Sequence, residues 1–264
     1  MSKSFEEVFY GILSDYFETF EITEPIIPDY RIVEDMASEY LMIRPDVLQR
    51  SNVGIDELNQ YNGFAIPPQE LGGTFTVLIN KSILAENISK QRMDWVGTIV
   101  HETTHVQDYA EYAQRVGADS YDEILEIDDH GMFNLWSEIH ARANGYYFVR
   151  KYALGIEYMK SEEMLEDIVE REIPAQWSLL YDNYHSTQDG YKQAYLVAQY
   201  MGRLYTLQKL YPDTLSDEWI EIHFGGNKWM NEWFRFYKNY PVLHEACLHF
   251  EEMKSILGQN FYGM

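Results

Sequence analysis

The apolar positions Phe5, Val8, Phe9, Ile12, Leu13, Tyr16 and Phe17 recur at three- and four-residue intervals. That spacing predicts an amphipathic helix over residues 4–20. Pro25 and Pro28 then break the pattern. Residues 30–43 fit either period, with helix the better fit. Pro45, Gly54, Gly63, Pro67, Pro68, Gly72 and Gly73 punctuate an irregular stretch with short helical turns. Thr74 to Ile79 is the best strand in the chain, β-branched and aromatic, with a Gly pair before it and Asn80 after it. Ser89 is placed to cap a helix over about 90–116, which Gly117 would end. A second long helix is expected over 132–152, and Ser161 can cap a third, bounded by Pro174. From residue 189 onward the pattern is helical, broken near Pro212, Gly225-Gly226 and Pro241. The expected fold class is α+β, mostly helical, with a small sheet beside a long helix. A soft boundary near 155–160 would divide residues 1–155 from a helical part, 156–264, packed against it as one unit.

Composition narrows the class. Hydrophobic residues make up 46% of the 264 positions and aromatics 16%, which excludes a disordered chain. The single Cys247 can form no internal disulfide and excludes a Cys-rich structural zinc site. No apolar run approaches the roughly 18 residues of a membrane helix, and Met1 to Tyr10 has no signal-peptide pattern, so a cytoplasmic protein with no membrane partner is expected. A net charge of −23 disfavours nucleic acid. It fits a soluble surface, and it also fits a cationic partner or substrate, or a DNA-mimicking surface. The oligomeric state stays open.

The chemistry concentrates in His101-Glu102-Thr103-Thr104-His105, an HExxH run inside the first long helix. Residues i and i+4 share a helix face, so both imidazoles can reach one metal ion. Glu102 beside them can take a proton from a metal-bound water, as a general base. A catalytic zinc needs a third protein ligand and keeps a fourth position open. Glu138, 33 positions after His105 on the second long helix, is the preferred third ligand, with small residues Ala141 and Ala143 nearby to allow close helix approach. His140 is the alternative. The two point about 200° apart on an ideal helix, so both cannot face one metal. One Zn²⁺ per chain is therefore expected on His101, His105 and Glu138. Asp108, three residues past His105, could orient a ligand. His130 reads as an exposed loop residue. For the group that stabilises a developing oxyanion, Tyr184, His185 and His223 are candidates, and His223 is preferred because the Gly225-Gly226 break could expose it.

The HExxH run followed by a Glu on a later helix resembles the gluzincin branch of the zincin metallopeptidases, and His105-Val106-Gln107-Asp108-Tyr109 is similar to the continuation in thermolysin-like members. The resemblance covers about residues 74–148. It implies a minimal zincin-like core, zinc, a motif Glu that activates water, and hydrolysis of a peptide or protein substrate. It also implies an edge strand before the metal helix, at Thr74 to Ile79. The sequence departs from that family in two ways. Arg142 stands where an Asp usually follows the ligand Glu, and the Glu spacing is longer. The metzincin extension is absent. Two other readings compete: a carboxylate-bridged di-iron protein, for which no second convincing ExxH is present, and an acidic binding protein that retains a zincin shell.

Overall fold

The computed structural model describes residues 5–46, 55–128 and 131–258. The fold is a mostly helical α+β arrangement with one three-stranded sheet. Helix α1 (Phe5–Thr19) follows the expected period, burying Phe9, Ile12, Leu13 and Tyr16. The 30–43 stretch divides, giving strand β1 (Asp29–Val33) and helix α2 (Met36–Ile43). Asp35 makes that division, because its side chain accepts from Ser38 N and caps α2.

Strand β2 (Gly63–Ile66) pairs antiparallel with β3 (Thr76–Asn80), and β1 pairs parallel with β3 on the other side. The sheet order is β1-β3-β2. The expected strand is therefore real but central. Both of its edges are occupied, so it cannot be the edge strand that accepts a substrate backbone. Its side chains alternate as a strand requires. Val77 and Ile79 enter the main core, while Leu78 joins Met36, Leu58 and Ile66 beyond the sheet.

Asn80 ends β3 and caps helix α3 (Lys81–Ser89), accepting from Ser82 N and Ile83 N. Ser89 is thus the last residue of α3, not a cap for the next helix. Helix α4 (Asp94–Val116) starts without a side-chain cap and ends at Gly117, whose φ of 66° completes the left-handed terminus. After α5 (Tyr121–Ile127) comes α6 (Met132–Leu154), which ends at Gly155. Ser161 caps α7 (Glu162–Asp167) as expected. Pro174 does not end the helical run. A π-helical turn over Ile168–Glu172 leads into α8 (Ile173–Ser186), where the proline sits in the first turn and its missing N–H is harmless. Helix α9 (Gly190–Leu210), α10 (Asp217–His223) and α11 (Lys228–Asn239) are separated by the expected breaks, and α12 (Leu243–Ala246) and α13 (Phe250–Leu257) follow.

The centre of the molecule is a layer of three long helices, α4 against α6 and α6 against α9. Glycines set their spacing. A Cβ on Gly97 would lie 2.4 Å from Val149 Cγ2 and 3.1 Å from Gly145 O, and one on Gly145 would lie 2.7 Å from Gly97 O. On the far face of α6, a Cβ on Gly202 would lie 2.5 Å from Ile139 O. Side chains there would push the helices apart. One hydrophobic cluster runs from Phe75 to Leu257 and joins both sides of the 155–160 stretch. Among the described residues no helix is long and apolar enough to cross a membrane.

Candidate metal centre

Helix α4 buries its polar middle. His101 and Glu102 are each 7% exposed, and Thr103 and Thr104 are fully buried. Burying such groups costs several kcal/mol unless each has a partner, and the threonines have theirs. The Thr103 hydroxyl donates to Ile99 O and the Thr104 hydroxyl to Val100 O. Each then accepts from a tyrosine, Thr103 from Tyr30 at 2.6 Å and Thr104 from Tyr16 at 3.0 Å. In this way β1 and α1 hold α4 by its HExxH turn.

The Gly97–Gly145 crossing brings α6 alongside. His101 Nε2 and His105 Nε2 are 3.1 Å apart, and Glu138 Oε2 lies 3.5 and 3.4 Å from them. A tetrahedral zinc with ligands at about 2.0–2.1 Å holds them about 3.3–3.4 Å apart. The three separations fit that figure, and two imidazole nitrogens plus a carboxylate oxygen are a suitable donor set. Among the described residues, this is the group of three His, Cys, Asp or Glu whose ligand atoms converge.

Hydrogen bonds fix the tautomer of His105. Its Nδ1 is 2.8 Å from Ser137 Oγ, which is 2.7 Å from Asp108 Oδ2. A carboxylate only accepts, so Ser137 donates to Asp108 and must accept from His105 Nδ1–H. The Nε2 lone pair is left facing the cluster. Asp108 therefore orients the His105 imidazole through a serine hydroxyl. His140 is engaged elsewhere. Its Nδ1 is 2.9 Å from Asp108 Oδ1, and its Nε2 accepts from Asn144 at 3.0 Å. With both nitrogens engaged and its ring turned from Glu138, His140 is not among the converging groups. His101 lacks such support, since its buried Nδ1 has no hydrogen-bond partner.

The charges are mutually adjusted. Burial alone would push the Glu138 carboxyl up, but His101, the hydrogen bonds from both imidazoles and Arg142 hold it well below the usual carboxylate range. Arg142 Nη2 lies 3.4 Å from Glu138 Oε1. Burial pulls the His101 imidazole down. The same burial acts on His105, but Glu138, with Glu102 and Asp108, outweighs it and the net shift is upward. Glu102 lies under β2, where a Cβ on Gly63 would sit 2.9 Å from its Cγ. It takes part in no hydrogen bond or ion pair with the described residues.

His223 is not brought to the cluster. It sits in an aromatic cage, 4.9 Å from the Trp219 ring and 5.0 Å from that of Trp177, with Tyr200 O–H on its Nε2 at 2.5 Å. Burial in that cage pushes its pKa down to about 4. The gain from burying the ring among aromatics places it there, and the glycine break does not expose it toward the metal cluster. Tyr184 and His185 pack on each other on α8, and His185 is exposed. His130 lies outside the described residues.

Two groups on α9 escaped the sequence reading. Tyr195 has its phenol held well above the usual range by burial and by the Glu138 charge, with Glu102 adding to this and Arg142 opposing it. It is 36% exposed overall. Arg203 lies nearby, its charge coupled to those of Arg142, Glu172 and Glu138. A glycine inside an otherwise helical run, as at Gly202, was the available signal of close helix approach. No family model, curated protein or solved structure matches this chain, so what the site can do chemically rests on its own geometry.

Proposed function

We propose that the protein is a zinc-dependent hydrolase, a metallopeptidase with one zinc held by His101, His105 and Glu138. The observation that carries this reading is the convergence of three ligand atoms within 3.5 Å of one another beside a buried carboxylate, Glu102, that no described residue engages. A bound zinc would acidify a water and polarise a carbonyl. Glu102 has free lone pairs to take the proton from that water. Tyr195 keeps its proton near neutral pH and can donate a hydrogen bond to the oxygen that gains charge. Asp108 and Ser137 hold His105 in the ligating tautomer.

The three-ligand set supports one metal over the di-iron alternative, which asks for additional carboxylates. A cytoplasmic setting belongs to the same proposal, supported by a lone, unpaired Cys247. The test is elemental analysis together with a peptide library. We expect one zinc per chain in the parent protein and loss of stoichiometric zinc in His101→Ala and His105→Ala. Full zinc in both variants, or no cleavage of any library peptide by zinc-loaded protein, would reject the reading.

A further inference from the structure

The chain carries 43 acidic residues against 20 basic ones, so a guanidinium has no shortage of partners. Arg203 nevertheless makes no ion pair and no hydrogen bond with any described residue, although it is half-buried. It stands next to Gly202, the point of closest approach between α9 and α6, where an added Cβ would lie 2.7 Å from Arg142 Cβ. Arg142 is itself poorly satisfied. Its one contact with Glu138 Oε1 is long, at 3.4 Å, and its Nε is buried without a partner. Burial lowers the Arg203 pKa, and Arg142 lowers it further. Two arginines thus stand at the α6–α9 crossing, their charges opposing each other, near a cluster whose carboxylate is already committed to two imidazoles.

A half-buried charge without a partner costs stability, and two like charges side by side cost more. Glu172 and Glu138 offset part of this cost at a distance, but neither forms an ion pair with Arg203. A planar guanidinium presents paired N–H donors that match a carboxylate. We infer that Arg203, supported by Arg142, is the anchor for a carboxylate on the substrate, one helix crossing from the metal cluster. The inference rests on the hydrolase reading for its reaction but not for its binding. If the carboxylate is a chain terminus, the reaction is removal of residues from the C-terminal end of a peptide. If it is a side chain, the reaction is cleavage beside Asp or Glu.

The experiment measures binding with metal-free protein, by calorimetry or NMR titration. Three probes separate the sources: acetyl-Ala-Ala-Phe with a free carboxylate, its C-terminal amide, and acetyl-Ala-Asp-Phe amide. We expect the free acid to bind about 10- to 100-fold tighter than the plain amide, the range of a charge-assisted hydrogen bond. Arg203→Met should abolish that difference and Arg203→Lys should restore part of it. Preference for the Asp-containing amide over the free acid, again lost in Arg203→Met, would assign the side-chain source. The absence of any Arg203-dependent preference for a carboxylate overturns the inference. So does a marked loss of thermal stability in Arg203→Met, because removal of an unpaired charge should leave the fold as stable or more so. Hydrolysis is scored separately with zinc-loaded protein. Carboxylate-selective binding without cleavage would sink the hydrolase reading alone, and cleavage indifferent to the carboxylate would sink this inference alone.

Discussion

Ser137→Ala removes one oxygen from the interior and tests how the proposed metal centre is held. Ser137 is fully buried, and its hydroxyl bridges His105 Nδ1, at 2.8 Å, and Asp108 Oδ2, at 2.7 Å. Without it the imidazole and the carboxylate are too far apart to bond directly. His105 then loses the acceptor that fixes its tautomer, and Asp108 keeps only its contact with His140. Loss of such an outer partner typically weakens metal binding by about 10- to 100-fold, or about 1.4–2.8 kcal/mol. The buried N–H left without a partner should cost the metal-free fold about 1–3 kcal/mol. Zinc affinity is read by competition with a chromophoric chelator near neutral pH, and metal-free stability by denaturant unfolding. Cleavage at saturating zinc should persist, because no ligand is removed. Zinc affinity within twofold of the parent, in a folded variant, would refute the chain of donors deduced for His105.

Glu102→Gln should keep stoichiometric zinc and lose about 10²–10⁴-fold in turnover, because the amide cannot take the water's proton; near-normal turnover would remove Glu102 from its role. Gly202→Ala puts a Cβ 2.5 Å from Ile139 O and 2.7 Å from Arg142 Cβ. The overpacking, about 1–3 kcal/mol, should exceed the gain of about 1 kcal/mol in helix propensity, and because Ile139 adjoins Glu138 zinc affinity should fall too; a variant more stable than the parent would contradict the close crossing. The pH dependence follows from His105, whose pKa in the folded, metal-free protein is raised above 6.5. The proton on His105 stabilises the metal-free fold fully below that value, and this contribution is lost as pH rises through the raised pKa. Zinc competes with the same proton, so zinc affinity should begin to fall already above pH 6.5 on acidification. The chelator-induced drop in melting temperature should be largest at mildly alkaline pH and shrink toward pH 5; a drop independent of pH would exclude His105 as a ligand.

Helices α1 and α4 were legible because their apolar positions repeat at helical intervals, and the i, i+4 histidines needed only that geometry; α6 is buried on both faces and lacks such a stripe. Strand β1 was hidden because its five residues mix exposed and half-buried positions without strict alternation. Asn80 read as the end of a strand, and its second role as a helix cap displaced Ser89 from the role assigned to it. The choice between Glu138 and His140 depended on how α6 is rotated against α4, which is set by Gly97 and Gly145 and has no local signature. Ser137, Tyr195 and Arg203 come together only where three helices cross, so no spacing along the chain announces them.

The two threonines inside HExxH carry a consequence for the lineage of this chain. In the motif as written, those middle positions are free to vary. Here each is hydrogen-bonded to one tyrosine from another element, Thr103 to Tyr30 and Thr104 to Tyr16. Replacing a threonine alone strands a tyrosine hydroxyl, and replacing a tyrosine alone opens a hole against α4. Drift at these sites therefore has to proceed in pairs, Tyr16 with Thr104 and Tyr30 with Thr103. Descendants that keep the histidines but change one member of a pair would carry a loosened α4. Those that change both members together would mark a separate branch.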